Sequence, residues 1–411
     1  MRTMLLAVTG LSPAVVTETL YAINKQKLAW PDSIRIITTQ RGKDIAISSG
    51  LAGQIAALCA QCEQPQPSFS DDHIRVVPGA NGNPVEDARS LADHEALADF
   101  ITQEVRDIAT DANVNIHASI AGGRKTMTFY LGYAMSLFGR HQDCLSHVLV
   151  SEEFEGVPGF FFPTRDDTVL ENSRLKRTVH PKDAEVVLAD IPFIRMREEL
   201  PEKELSRLGT QLSFRNLMAL FDLGNRPHDI HLCLPADRAE VQIVDRANGH
   251  KETLKIGPLE YAFFRMLARV TRDGEATVRR PGEEHDSDLS RLFVDELLRL
   301  EGFDVGEYDT LANTDAIDML SNLDERRFPV QDRTIRALES GMRTTWFDSR
   351  CIRINDILHE HLPKNLRRWL EPRQVFDENG IRYEISEKML ETAGKKGAYG
   401  LAISPKQIEL K

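Results

Sequence analysis

The stretch Ile120-Ala-Gly-Gly-Arg-Lys-Thr-Met127 runs from an apolar, β-like segment through two glycines into a helical pattern that opens on two cations. Glycines let a ligand approach the backbone, unpaired N–H groups at a helix start favour anions, and Arg124 and Lys125 add positive charge beside them. The chemistry these residue types suit is grip on a phosphate. The spacing is neither G-x-x-x-x-G-K-[ST] nor G-x-G-x-x-G, which excludes a Walker loop and the dinucleotide fingerprint. A tight strand-to-helix turn carrying solvated basic side chains would have the same sequence.

Two further turns have related chemistry. Thr9-Gly-Leu-Ser-Pro13 offers a glycine turn, a hydroxyl at Ser12 and a proline at a helix start. The bland alternative for Ser12 is a helix N-cap, worth ~1 kcal/mol. Thr38-Thr-Gln-Arg-Gly42 supplies polar side chains and one cation. Each is ordinary alone, but all three follow expected strands.

The elements that must position these turns alternate between strand and helix over about the first 165 residues, the rhythm of a parallel α/β sheet. Strands are expected at Met4–Val8, Ile34–Thr39, Ile74–Val77, Val114–Ala121 and Leu145–Ser151. Helices are expected at Pro13–Ile23, Lys43–Cys62, Val85–Ala112 and Lys125–Gly139. Phe160-Phe-Phe-Pro163 reads as an edge strand or hairpin arm, and Ala184–Arg197 closes the region before a charged boundary at Arg197–Glu204. Right-handed crossovers wind such a chain into a sheet covered by helices, with ligands at the carboxyl ends of the strands. The three polar turns all fall there.

At 411 residues, with 41% hydrophobic and 28% charged side chains, the chain has an ordinary globular composition and room for more than one core. No run reaches the ~18 apolar residues of a membrane span. The opening Met1-Arg-Thr-Met-Leu-Leu-Ala-Val is stopped by Thr9-Gly10 and Pro13, too soon for a signal peptide, and reads as the first strand of a cytoplasmic fold. Five cysteines fit a reducing compartment. Cys59-Ala-Gln-Cys62 is half a zinc site at best and reads as a helix end, so neither a metal nor a cofactor is expected. A net charge of −12 opposes broad coating of a long polyanion but leaves room for a small anion in a local pocket.

Taken with Val8-Thr-Gly-Leu-Ser-Pro-Ala-Val-Val-Thr-Glu-Thr-Leu20, the Thr38-Thr39 loop and Ser119-Ile-Ala-Gly-Gly-Arg-Lys-Thr-Met127, the first 200 or so residues resemble the CRISPR-associated Rossmann-fold (CARF) proteins of type III systems, in particular the ring nucleases. His147–Ser151 and Leu188–Arg197 also resemble this group. The resemblance implies a homodimer that binds cyclic oligoadenylate, a tetra-adenylate or hexa-adenylate ring, across its two-fold axis, and in several relatives cuts it. By matching motifs it places Thr9, Gly10, Ser12 and Pro13 in the first ligand loop, Thr39, Gln40 and Arg41 in the second, and Gly122, Gly123, Arg124, Lys125, Thr126 and Met127 in the third.

RNA carries its own nucleophile, so such cutting requires no metal. A ribose 2′-hydroxyl attacks the adjacent phosphorus and leaves a 2′,3′-cyclic phosphate, provided the protein fixes the geometry and stabilises phosphoryl charge. Lys125 and Arg124 are the expected charge stabilisers, with Ser12 positioning the phosphate or the hydroxyl. These loops hold no dedicated general base, which predicts slow turnover.

The expected fold is α/β: a Rossmann-like parallel sheet with helices on both faces over residues 1–200, followed by an α+β, winged-helix-like unit over 201–411. In the latter, a helix around Glu204–Leu223 leads to strands at Ile230–Leu234, Glu240–Val244 and Thr253–Ile256, then a helix after Pro258. Asp273–Asp332 reads as an acidic surface insertion. Leu254–Ala268 is similar to the start of response-regulator winged helices, with Phe347–Trp369 as a further helix and a wing within Arg382–Pro405. Residues 345–411 hold twelve Lys or Arg against ten Asp or Glu, a balance that fits a dimerisation module as readily as DNA binding. Many relatives of the resembled family carry a ribonuclease domain marked by Arg-x4-His on one helix face. The two matches here, Arg89 to His94 and Arg226 to His231, lie in no convincing terminal helical domain, so a fused ribonuclease is not expected.

Overall fold

The computed structural model describes residues 1–79, 81–197, 213–274, 276–282, 285–308, 312–323, 326–377, 379–386, 390 and 397–411, in two compact units. The charged boundary after Arg197 and the start of the helix expected from Glu204 lie outside the described residues. Among the described residues, no single helix is long and apolar enough to cross a membrane.

The first unit is built on β1 (Arg2–Val8), β2 (Ser33–Thr38), β3 (Ile74–Val76), β4 (Val114–Ser119) and β5 (Cys144–Val150). They pair in the order β3-β2-β1-β4-β5, all parallel. Apolar runs such as Leu5-Leu6-Ala7-Val8 are buried on both faces because helices cover both. A sixth strand, β8 (Val186–Asp190), pairs antiparallel with β5. The chain leaves β5 at the carboxyl edge and no described helix carries it back, so it re-enters the sheet in the opposite direction.

The helices are α1 (Ala14–Lys25), α2 (Gln40–Ser48), α3 (Leu51–Cys62), α4 (Leu91–Thr110) and α5 (Lys125–Phe138). Three differences from expectation have local causes. The single helix expected over 43–62 is broken by Gly50, whose φ of 71° cannot continue a right-handed helix. The helix expected from Val85 begins only at Leu91, behind a capping box formed by Ser90 and Asp93, so Val85–Arg89 are not helical. Phe160–Phe162 form no strand: Phe160 joins Phe154, Val157, Val179 and Ala184 in a small core, and the hairpin is β6 (Leu170–Asn172) with β7 (Arg177–Val179).

In the second unit, β9 (Ile230–Leu234), β10 (Glu240–Asp245), β11 (Lys251–Lys255) and β14 (Ile408–Leu410) form a sheet in the order β11-β10-β9-β14. Its helices are α6 (Phe214–Gly224), α7 (Pro258–Asp273), α8 (Ser287–Glu301), α9 (Asn313–Ser321) and α10 (Thr344–His361). The segment expected to be a surface insertion is core. From α8 and α9, Leu289, Phe293, Val294, Leu297, Leu298, Ile317 and Leu320 are buried against Tyr261, Phe263, Phe264 and Leu267 of α7. The acidic residues that suggested exposure occupy the remaining faces of amphipathic helices. One acid is buried with them: Glu296 accepts from Arg265 and, at 2.6 Å, from Arg269 Nε. The terminal antiparallel pair is β12 (Arg373–Phe376) with β13 (Ala398–Gly400), so its first strand precedes the expected Arg382 start.

Candidate functional site

Strand order reverses at β1, with β2 and β3 on one side and β4 and β5 on the other. In open α/β sheets the ligand crevice lies at the carboxyl edge beside such a switch point. The β1–α1 and β4–α5 turns flank it.

The glycines allow those turns to touch. A Cβ on Gly10 would lie 3.2 Å from the Gly123 Cα, and one on Gly122 would lie 2.9 Å from both the Val8 carbonyl oxygen and Val15 Cγ2. Gly42 would crowd the Thr38 side chain and the Gly10 carbonyl. At Gly10, Gly42 and Gly122 the space a side chain would need is taken by the protein itself. Gly123 is different: exposed, with φ of 85°, it turns the chain into α5.

Several of the expected site residues are spent on structure. The Thr39 hydroxyl caps α2 by accepting from the Gly42 N–H at 3.3 Å. Gln40 donates to Asp44 at 2.8 Å, and its own N–H donates to the Val85 carbonyl at 2.9 Å. The Met127 side chain is fully buried and its N–H donates to the Arg124 carbonyl at 2.8 Å. Pro13 is buried at the start of α1.

Others are left unspent. Helix α1 begins with no side-chain cap, so Ser12 does not act as one, and its exposed side chain hydrogen-bonds to nothing among the described residues. Arg41 and Lys125 are exposed and pair with no carboxylate among the described residues. Helix α5 also lacks a side-chain cap and has no acid in its first turn, and Lys125 stands at its first position. Two hydroxyls, Thr9 Oγ1 and Thr126 Oγ1, are enclosed and have no hydrogen-bond partner among the described residues. Thr9, 1% exposed, packs against the glycine turn, its Cα 3.4 Å from where a Gly122 Cβ would stand. Both hydroxyls can donate a hydrogen bond to an acceptor brought to this edge.

A family model for CRISPR-associated protein NE0113 matches residues 12–222, a span from Ser12 through the crevice into α6. The chain belongs to this family. No curated protein matches it. Among solved structures it is similar to Enterococcus italicus Csm6 bound to cyclic hexa-2′-fluoro-hexa-dAMP, at 13% identity over 87% of this chain and 80% of that one. The TM-score of 0.28 is too low for that likeness to bear on fold or function.

In this NE0113-family chain the other cation of the crevice, Arg124, is engaged. Its Nε donates to Asp87 Oδ1 at 2.8 Å and its Nη2 donates to the same oxygen, while Asp87 Oδ2 accepts from Arg89 Nε at 3.0 Å. The Arg124 bonds, and after them the Arg89 bond, hold the Asp87 carboxyl below the usual carboxylate range. Asp87 stands in the loop that sequence assigned to helix; Pro84 and the Ser90-x-x-Asp93 box were the signals that the helix starts later. A second acid that sequence reasoning passed over, Glu18, lies on α1 within the stretch that carries the family resemblance. Burial, with repulsion from Glu155 second, pushes its carboxyl up to about 7. Under α1, His117 Nε2 bonds Ser146 Oγ at 2.8 Å, and burial pulls the imidazole down to about 4.

The two Arg-x4-His matches do not form a nuclease face. Arg89 precedes α4, while His231 is on strand β9 and Arg226 is bound by Asp222, Asp229 and Asp245. Of the other pair noted in sequence, burial is the largest effect on both Cys59 and Cys62 and raises their thiols, the direction opposite to that of a reactive thiolate.

Proposed function

We propose that this CRISPR-associated protein is a cytoplasmic homodimer that binds cyclic oligoadenylate in the β1/β4 crevice and cuts it without metal, ending the signal that the ring carries. The observation that carries this reading is the set of unspent groups at one edge: the uncapped start of α5, the unpaired Lys125 and the partnerless hydroxyls of Thr9 and Thr126. Together they offer N–H and O–H donors beside a cation, Lys125, that pairs with no carboxylate among the described residues, the complement of a phosphodiester.

In the reaction, a ribose 2′-oxygen bonds to phosphorus as the bond to the 5′-oxygen breaks. The 2′-hydroxyl proton goes to solvent and the leaving 5′-oxygen takes one up. Lys125 and the α5 amides stabilise charge on the non-bridging oxygens, Arg124 adds to them, and Ser12 orients the phosphate or the attacking hydroxyl. The three turns contain no histidine or carboxylate to serve as a general base, so slow turnover is expected.

Incubation of the purified protein with radiolabelled cyclic tetra-adenylate and hexa-adenylate in EDTA tests the reading. Linear products with 2′,3′-cyclic phosphate ends support it. An intact ring that stays bound while the protein shifts a promoter fragment would replace it with a ligand-responsive DNA regulator. If neither ring binds, the reading is removed.

A further inference from the structure

We propose that Asp87 is the residue that releases the ligand, an internal stand-in for phosphate that reclaims Arg124 when a phosphodiester leaves. This rests on the reading above for the ligand and adds a role for a residue outside the expected loops.

Three observations carry it. First, the carboxylate engages Arg124 through both Nε and Nη2, the edge-on geometry in which a guanidinium also takes a phosphate. The same hydrogen-bonding edge of Arg124 cannot serve both anions fully at once. Second, Asp87 is on an anchored segment. Two residues earlier, Val85 donates to the Val77 carbonyl at 2.9 Å and accepts from the Gln40 N–H at 2.9 Å, and three residues later Ser90 caps α4. The competitor therefore stays beside the crevice after it is displaced. Third, the pair is partly open to water, with 43% of the Arg124 side chain and 24% of the Asp87 side chain exposed. Ion pairs of that kind contribute little net stability, so a phosphodiester can exchange for the carboxylate, and the carboxylate can exchange back.

Arg89 tunes the exchange. It shares Asp87 with Arg124 at 3.0 Å, so an Asp87 displaced from Arg124 keeps one cation. Because the two arginines hold Asp87 below the usual carboxylate range, it stays ionised and competes throughout the neutral range.

The expected pattern has opposite signs at neighbouring positions. Asp87→Asn keeps the shape and removes the charge: cyclic hexa-adenylate and its linear product bind roughly 3- to 10-fold more tightly, through slower dissociation. Single-turnover cleavage is maintained while multiple-turnover rate falls as product accumulates on the enzyme. Arg89→Ala leaves Asp87 to Arg124 alone and weakens binding. In an Arg124→Ala background, Asp87→Asn has less than twofold effect.

The measurements are stopped-flow association and dissociation of fluorescent cyclic hexa-adenylate on the full-length chain, with melting temperatures to confirm folding. If the unsubstituted protein binds neither this ring nor cyclic tetra-adenylate, the functional reading fails. If it binds but Asp87→Asn binds no tighter, or if the Asp87 and Arg89 variants shift the same way, Asp87 is an orienting or structural partner and the release role is wrong.

Discussion

A methyl group on Gly122 would stand 2.9 Å from the Val8 carbonyl oxygen, closer than real Cβ atoms come to anything. Because that oxygen is main chain in the central strand, it cannot rotate away. Gly122→Ala should therefore push the β1 and β4 turns apart, costing ~1–3 kcal/mol as overpacking does, and weaken ligand binding with it. Urea unfolding of the variant against the parent measures the first effect, and ring titration the second. A variant of unchanged stability would mean that the turns are looser than their contact implies.

Thr9→Val should separate stability from function. Its hydroxyl is buried without a partner, so replacing it by a methyl removes an unsatisfied group and should leave the free protein as stable or up to ~1 kcal/mol more so. Ring affinity should fall roughly 3- to 10-fold, the range of one lost hydrogen bond. Melting curves with and without cyclic hexa-adenylate show both effects: a higher midpoint alone and a smaller ligand-induced rise.

Lys125→Ala and Ser12→Ala should slow cleavage more than they weaken binding. A lost donor to developing charge in a pre-organised site costs ~100- to 1,000-fold in rate. Single-turnover rates in EDTA beside dissociation constants distinguish this from uniform binding, which would lower rate and affinity together.

Two buried groups set opposing pH slopes. Glu18 has a folded value of about 7 against an ordinary 4.5, so between those values the unfolded chain sheds a proton that the folded chain keeps, and stability falls as pH rises. His117, at about 4 against 6.5, does the reverse: the unfolded chain holds the extra proton, and stability rises with pH across that interval. From about pH 4.5 to 6.5 the two slopes largely cancel. Glu18→Gln should then be worth roughly 3 kcal/mol of added stability at pH 8 and almost none at pH 4.5, and should unmask the histidine slope. Denaturant midpoints at three pH values decide it; an equal shift at all three would remove the linkage.

Glu296→Leu should damage the second unit severely. It would leave Arg265 and Arg269 without the one carboxylate that both reach, and breaking a buried pair from one side costs ~3–5 kcal/mol. Circular dichroism during thermal unfolding should show the loss.

Sheet and crevice were legible because local signals agree with tertiary ones: Leu5-Leu6-Ala7-Val8 must be covered on both faces, and Gly122-Gly123 must turn between a strand and a helix. Asp87 was not legible, since its partner Arg124 is 37 positions away and the loop carrying it was masked by the apolar spacing that continues into α4. The shift of Glu18 arises only when tertiary packing buries its carboxyl and brings Glu155 near. In α8, charge density suggested surface, while Leu289, Phe293, Leu297 and Leu300 define an inward stripe.

The side chain of Gln407 donates to the Ile230 carbonyl from 177 positions away, and β14 then pairs in parallel with β9. Contacts of such long sequence separation form slowly, because much loop entropy is lost before they close. During synthesis, the amino-terminal sheet can complete itself once Asp190 has left the ribosome, whereas the other sheet must wait with β9 open along one side. The turns of the candidate site can thus be in place while the remainder of the polypeptide is still being made, and the exposed flank of β9 is where mispairing between nascent chains would begin.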